Sequence, residues 1–225
     1  MRGKTLGRSA VCALAVCAVL TGATPAAAHE PEVVPADNPL AQAVYDELAG
    51  LWWQWALAVP APTNPVTDST GEHCAEGQFK PVWFLAGTLE PTAAPVERRC
   101  RIPAGRFVFF PVANTFEAND PGGDRTFDDV LATVHERAQG ATGTVTIDGE
   151  TVAPFSAESR HAFSLTLPAD NVFQAPPGVY EPAAAAGLHV LLMPLRRGRH
   201  EIHIQGSIGG SSVDVVYHLK VSRRP

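Results

Sequence analysis

The chain has 225 residues, of which 45% are hydrophobic and 18% charged, and its formal net charge is −6 at pH 7. This balance excludes an intrinsically disordered tail, a collagen-like fibre and a coiled coil. Outside the N-terminus no run of eighteen apolar residues occurs, so a multi-span membrane protein is excluded and no membrane insertion is expected.

Residues 1–28 have the pattern of a secretory signal peptide. Three basic residues among the first eight precede an apolar segment over residues 10–20, and the small residues that follow end in three alanines. We predict cleavage after Ala28, a secreted protein in the extracellular space, and a flexible leader over residues 29–37.

Cleavage would change the charge and the cysteine content. It removes three basic and no acidic residues, which leaves 197 residues and shifts the net charge from −6 to −9. An acidic protein has no electrostatic reason to bind nucleic acid or an anionic membrane. The cysteines that remain are Cys74 and Cys100, and in an oxidising compartment we predict a disulfide between them. A catalytic thiolate with a histidine partner is the alternative.

The first predicted helix begins at Pro39, with Asn38 as its N-cap, and ends before Pro60. Trp53 lies off its apolar stripe, and we predict that this indole ring is exposed as a platform for a sugar ring or a cation. A loop over residues 63–78 follows. The stripe consists of Leu40, Val44, Leu48, Leu51, Trp52, Trp55 and Val59.

Two short apolar segments, residues 81–87 and 106–113, predict buried strands, with Trp83 on the first of them. Residues 114–125 are polar and predict a loop. Thr126 then begins a second helix in a capping box with Asp129, and Gly140 ends it.

From residue 142 onward the hydrophobic period changes to two, which predicts strands over 143–147, 162–167, 188–195, 200–208 and 213–221. Residues 176–178 and 182–187 predict loops. If Gly209-Gly210 form a two-residue turn, Ile204 faces Val215 on the core side and Glu201 faces His218 on the outer side. The same register opposes Ile202 to Tyr217 and Gln205 to Asp214.

Many short strands with proline- and glycine-rich turns predict a mainly β protein. The expected fold is a β-sandwich, jelly-roll-like, with two α-helices packed on it. Nothing in the sequence marks a second domain, so residues 38–225 are predicted to form one.

Four long motifs stand out together. They are WWQW at 52–55, NPxxDxTGxxC at 64–74, PVWFLAG at 81–87 and CxxPAGxxxFFPV at 100–112. In these motifs the chain resembles an uncharacterised family of secreted bacterial proteins, frequent in actinobacteria. The resemblance implies a shared fold and export, and it assigns no catalytic residue because the family has no established activity.

One group of polar residues follows a predicted buried strand, a natural position for a site. Asn114, Glu117 and Asn119, together with Trp53, are the predicted ligand-binding residues. Glu117 and His135 are the catalytic candidates, with Glu117 as a general acid or base. No recognised hydrolase motif accompanies them.

Two further groups offer metal ligands. Asp120, Asp124 and Asp128 carry oxygen ligands of the kind that calcium prefers, although their spacing departs from the EF-hand pattern. Asp128 lies seven residues before His135, on the same helix face, and it also offsets the helix dipole. His203 and His218, with Glu201, share the outer face of the last hairpin and could hold zinc or copper. The alternative there is a cross-strand ion pair.

The sequence therefore favours a secreted, disulfide-stabilised β-sandwich that binds an extracellular ligand, such as a small molecule, a glycan or a cell-surface polymer. No cofactor is expected, with calcium as the alternative. An extracellular hydrolase or lyase that uses residues 114–129 is the second hypothesis, and a structural protein of the cell envelope is the third. Fold class alone does not choose among them.

Overall fold

The structure is a computed structural model that describes residues 31–78, 80–89, 91 and 93–223. The predicted signal peptide and its cleavage site lie outside the described residues. Within the described ranges no helix has both the length and the apolar character needed to cross a lipid bilayer.

The chain forms helices α1 (Pro39–Ala58) and α2 (Phe127–Ala138) and a short 3₁₀ turn (Ala61–Thr63). The first strands are β1 (Val82–Phe84), β2 (Val96–Pro103), β3 (Phe107–Ala118), β4 (Thr142–Ile147) and β5 (Glu150–Val152). They are followed by β6 (Phe155–Glu158), β7 (Phe163–Leu167), β8 (Gly178–Leu192), β9 (Gly198–Ile208) and β10 (Ser211–Ser222).

The strands form two mixed sheets that pack together, which confirms the predicted β-sandwich with two helices. The first sheet has the order β1-β3-β8-β6, with β7 also paired to β8, and the second has the order β2-β10-β9-β4-β5. The apolar core between them contains Trp83, Val108, Phe110, Val112, Val190, Val145, Ile147, Ile202, Ile204, Val215, Tyr217 and Leu219.

The predicted register of the last hairpin is confirmed. Gly209 and Gly210 form the turn, and both have the positive φ angles (56° and 85°) that glycine adopts without steric cost. Ile204 is paired with Val215, and Glu201 with His218. The core-side positions Ile202, Ile204, Val215 and Tyr217 are all at most 1% exposed, and a slip by one residue would turn them to the outer face.

Two segments predicted as loops belong to strands, which corrects the sequence-based assignment. Residues 114–118 continue β3, and residues 182–187 lie inside β8. The alanines of β8 show why. Ala183 and Ala185 pack towards α1, while Ala184 and Ala186 pack against α2, all at most 2% exposed. Both faces of this strand are covered by helices, so small side chains replace the alternating pattern that marks a half-exposed strand.

Helix α1 has the predicted cap, since the Asn38 side chain accepts hydrogen bonds from the backbone N–H groups of Leu40 (3.1 Å) and Ala41 (3.0 Å). The predicted stripe is wrong at its start, because Leu40 is 77% and Val44 41% exposed. The residues that face the first sheet are Tyr45, Ala49, Trp52 and Ala56, each at most 2% exposed.

Polar residues of the NPxxDxTGxxC motif order the loop that follows α1. The Asn64 amide donates to the carbonyls of Ala56 (2.8 Å) and Val59 (2.7 Å) at the end of the helix. The Asp68 carboxylate accepts from Thr70 and from the backbone N–H of His73, each at 2.8 Å. Burial acts to raise the pKa of Asp68, but these hydrogen bonds outweigh it and hold the pKa below its ordinary value.

The predicted disulfide joins Cys74 in this loop to Cys100 on β2, which confirms the pairing. Its loop has a sequence separation of 26 residues. In the chain-entropy model the bond limits the unfolded chain and stabilises the fold by about 3 kcal/mol.

Replacing both cysteines by alanine is therefore expected to lower the free energy of unfolding by about 3 kcal/mol. Urea unfolding measures this, and the reduced wild-type protein serves as the matched control, since it lacks the same cross-link. A loss below about 1 kcal/mol in both would contradict the entropic role.

Candidate functional site

A cleft of about 680 Å³ opens where β3 leaves the space between the two sheets. Here β9 crosses β3 so closely that a Cβ atom on Gly206 would lie 1.9 Å from the carbonyl oxygen of Val112. Beyond this crossing the register of β3 against β8 shifts between Pro111 and Ala113. The second half of β3, from Ala113 onward, forms one side of the cleft.

Several elements build the walls. Helix α1 contributes Trp52, Trp53 and Leu57, the loop after β1 contributes residues 87–89, and the turn between β9 and β10 closes the far side. Further apolar lining residues include Val66, Phe116, Leu165, Leu167, Phe173 and Tyr180. Phe173 is 43% exposed at the rim, whereas Leu165 is 1% exposed in the depth. The cleft is thus largely apolar, as ligand-binding clefts usually are.

Three of the four predicted ligand-binding residues line this cleft, namely Trp53, Asn114 and Glu117. Asn119 is not among the described lining residues. It is 5% exposed, and its side chain packs against Gly123, where an added Cβ would lie 2.3 Å from the Asn119 Oδ1 atom. Its role in ligand binding stays a prediction that the geometry does not favour.

The predicted exposure of Trp53 is wrong, because this residue is only 6% exposed. Its ring lies 4.4 Å from that of Phe116 and 4.9 Å from that of Trp52, measured between centroids. Both neighbours occupy space that a stacked sugar ring would need. Trp53 is therefore part of the cleft wall rather than an open platform.

Three buried polar atoms of the cleft residues find no hydrogen-bond partner within the described ranges. They are the indole Nε1 of Trp53, the hydroxyl Oγ1 of Thr88 and the amide Nδ2 of Asn114. A buried donor without a partner costs about 1–3 kcal/mol, so such atoms are rare unless a function retains them. Their concentration at one cleft is the strongest sign of a binding site in the molecule.

Glu117 joins β3 through two ion pairs to Arg137 in α2 and to Arg125 just before this helix. One carboxylate oxygen accepts a hydrogen bond from Arg125 and the other accepts one from Arg137, and the carboxylate is 16% exposed. Arg137 also lines the cleft. Since both oxygens are engaged, the arrangement anchors α2 beside the cleft and leaves the general-base role of Glu117 a prediction without geometric support.

The second catalytic candidate lies elsewhere. His135 is not one of the described lining residues, and its Nδ1 lies 2.7 Å from Oε2 of Glu158 on β6. Asp128, which was expected on the same helix face, makes no hydrogen bond or ion pair with His135. Glu117 and His135 are each paired with other residues, so the structure does not join them into one acid–base pair.

The metal candidates are also dispersed. Among the described residues no group of three or more histidine, cysteine, aspartate or glutamate side chains is arranged to hold a metal ion. The Nε2 atom of His203 lies 2.6 Å from Oδ1 of Asp214. The Nδ1 atom of His218 lies 3.4 Å from Oε2 of Glu201, which is the predicted alternative of a cross-strand pair. Asp120 lies at the cleft, while Asp124 and Asp128 are exposed near the start of α2.

Arg98 on β2, which the sequence analysis did not select, holds two walls of the cleft in place. It is 2% exposed and donates five hydrogen bonds, and two of its acceptors, the carbonyls of Val66 and Gly87, belong to cleft-lining residues. Its guanidinium also lies 5.6 Å from the centroid of the Tyr217 ring. The full set of acceptors is Val66 O (3.1 Å), Asp68 O (2.6 Å), Ala86 O (2.8 Å), Gly87 O (3.0 Å) and Tyr217 Oη (2.8 Å).

Comparison of the chain with family models, with curated proteins and with solved structures finds no match.

Proposed function

We propose that this protein is a secreted binding protein that holds an extracellular ligand in the cleft between α1, the second half of β3 and the β9–β10 turn. The observation that carries the proposal is a set of three buried polar atoms without a partner among the described residues, on Trp53, Thr88 and Asn114, which all line a largely apolar cleft. The predicted signal peptide and the Cys74–Cys100 disulfide support the extracellular location.

The free atoms indicate the chemistry of the ligand. An indole N–H and an amide NH₂ are donors, so they require acceptor oxygens on the ligand, while the Thr88 hydroxyl can donate or accept. The aromatic and aliphatic lining requires an apolar surface beside those oxygens. A molecule with carbonyl or hydroxyl oxygens next to an apolar group meets both conditions.

The expected result of replacing Trp53 by phenylalanine is a loss of ligand affinity of about two- to tenfold. The substitution keeps an aromatic ring but removes the N–H donor, and one hydrogen bond contributes about 0.5–1.5 kcal/mol. The measurement is a nuclear magnetic resonance screen of the protein with chito- and cello-oligosaccharides, short peptides and carbonyl-containing fragments, followed by titration of the hits.

Trp83→Phe is the matched control, because the Trp83 indole N–H is also buried and unpaired among the described residues but lies in the core between the sheets. It should leave the affinity unchanged. Hits that shift resonances away from the cleft, or that bind Trp53→Phe and Asn114→Ala as tightly as the wild type, would overturn the proposed function.

A further inference from the structure

Among the residues that the structure describes, no strand pairs with one edge of the second half of β3. β1 pairs with β3 only from Phe107 to Phe109, whereas β8 pairs with the opposite edge as far as Ala118. Within the described ranges, the last backbone hydrogen bond on the β1 side runs from the Leu85 N–H to the Phe109 carbonyl (3.0 Å). Residues 111–113 of this edge are buried under β9, whereas residues 114–118 are partly exposed, so the edge is open over residues 114–118.

The register shows which backbone groups point to this edge. The Asn119 N–H donates to the Pro182 carbonyl (3.0 Å), and hydrogen-bonded positions alternate along an antiparallel pair. Thr115 and Glu117 therefore bond to β8, while the N–H and C=O groups of Asn114, Phe116 and Ala118 point away from it.

The far side of β8 gives an independent check of this alternation. The Ser159 N–H donates to the Ala185 carbonyl (2.8 Å), so Ala185 bonds away from β3. Ala185 lies opposite Phe116 in the β3–β8 register. Phe116 and Ala185 are thus opposite each other without exchanging hydrogen bonds, which agrees with the outward direction of the Phe116 backbone groups deduced from Asn119.

The cleft follows this open edge. Successive side chains of a strand point to opposite faces of the sheet, yet both Phe116, which packs on Trp53, and Glu117, which pairs with the arginines near α2, line the same cleft. A cavity that touches both faces of one strand must pass around the edge of that strand. The outward backbone groups of Phe116 consequently face the cleft.

We infer that the ligand of this cleft is an extended peptide segment that adds to the first sheet as a new strand beside residues 114–118; this inference rests on the proposed function. Alternating main-chain donors and acceptors are what an open strand edge recognises. The Nε1 of Trp53 and the Nδ2 of Asn114 are buried and unpaired within the described ranges, and a small rotation of each side chain would turn them into further donors for carbonyl oxygens of the peptide.

The two sides of the edge define the side chains of the peptide. On the α1 side, the lining residues Trp53, Phe116 and Leu165 accept apolar side chains. On the α2 side, Glu117 and Arg137 accept polar ones. The expected segment therefore alternates apolar and polar residues, because its own side chains point to opposite faces at each step.

The test uses a synthetic library of acetylated and amidated heptapeptides with apolar residues at alternate positions, and the full-length secreted protein. The tightest binder is then compared with two versions that are N-methylated at alternate amides. Methylation of the set that faces β3 should weaken binding at least tenfold, and methylation of the other set should leave it within about threefold, since only one set donates to the protein. Bound peptide should also protect the Phe116 and Ala118 amides from hydrogen exchange.

Ala118→Pro tests the same edge from the protein side. It removes an N–H that points away from β8, so the β3–β8 ladder keeps its hydrogen bonds, and proline is tolerated at such edge positions. Peptide binding should fall at least tenfold. The urea midpoint of the variant checks the fold, and the N-methylated peptides give the answer without any change to the protein should the variant unfold.

The outcomes separate the two proposals. If oligosaccharides rather than peptides shift the cleft resonances, or if both methylated sets bind equally, the peptide inference fails while ligand binding in the cleft stands. If a dimer in solution protects Phe116 and Ala118, a second copy of the chain occupies the edge and the inference fails. If no probe shifts the cleft resonances, both proposals fail.

Discussion

Replacing Arg98 by methionine is expected to lower the free energy of unfolding by about 3–5 kcal/mol, among the largest effects of any single substitution in this protein. Methionine fills a similar volume but donates no hydrogen bond. The carbonyls of Val66, Asp68 and Gly87 would then lose the donor that Arg98 provides. Each buried carbonyl left unpaired costs about 1–3 kcal/mol.

Arg98→Lys should recover only part of the loss. A lysine ammonium is a compact group with three donors, and it cannot reproduce the planar guanidinium that reaches five acceptors on three segments of the chain. The Tyr217 hydroxyl would still serve the Ala86 carbonyl, to which it donates at 2.8 Å. The expected order of stability is arginine, then lysine, then methionine.

Arg99→Met is the matched control, because it makes the same change one residue away on the opposite face of β2. The Arg99 side chain is 74% exposed and its recorded ion pair is a 4.0 Å contact with Glu97. Urea unfolding should show a change within about 0.5 kcal/mol for this variant. Equal losses of stability at the two positions would contradict a stabilising role for the buried hydrogen bonds of Arg98.

The Arg98 variants should also weaken ligand binding more than their stability alone requires. Val66 and Gly87 both line the cleft, and Arg98 is the residue that fixes their carbonyls relative to each other. Affinity measured well below the unfolding transition separates this effect from loss of folded protein. An unchanged affinity would restrict Arg98 to a purely structural role.

The parts of the fold that could be predicted are those where local pattern and environment agree. The β9–β10 hairpin has one buried and one exposed face, so its alternation predicts the register residue by residue. The capping box of α2 depends only on residues within one turn, and Thr126 and Asp129 form it. Strand β8 could not be predicted at its alanines, because helices cover both of its faces there.

The candidate site was harder to predict than the fold, because it depends on contacts between distant segments. Trp53 was expected to be exposed because the apolar stripe describes only one buried face of the helix, but the second half of β3 also covers α1, and the Phe116 ring lies 4.4 Å from that of Trp53. A signal for Arg98 was present. Arg98 precedes the buried Cys100 by two residues and Ile102 by four, so in a strand its charged side chain lies on the same inward face as theirs.

Acidification is expected to destabilise the protein through His189, and replacing this residue by leucine should remove that sensitivity. His189 is fully buried, its ring stacks on Phe109 with the centroids 5.3 Å apart, and neither ring nitrogen makes a hydrogen bond of normal geometry within the described ranges. Burial lowers its pKa to about 3, and the backbone of Gly187 offsets only part of this effect.

The sign follows from proton uptake. In the unfolded chain His189 takes up a proton below pH 6.5, its ordinary pKa, whereas in the folded protein it stays neutral until about pH 3. The unfolded state therefore binds more protons between these values, and its free energy falls as the pH falls. The contribution of a neutral His189 is complete above pH 6.5 and is lost progressively down to pH 3.

The expected magnitude is about 1.4 kcal/mol per pH unit across that window, or about 5 kcal/mol in all. Urea unfolding of the wild type and His189→Leu from pH 8 to pH 3.5 measures it as a difference, in which the titration of all other groups cancels. At pH 8 the stability of the variant should be close to that of the wild type or higher. An apolar group of similar size replaces two ring nitrogens that have no partner among the described residues. If the difference in unfolding free energy between the two proteins stays constant with pH, His189 does not remain neutral in the fold. If the difference grows in favour of leucine as the pH falls, this buried ring is a main determinant of the acid tolerance of the protein.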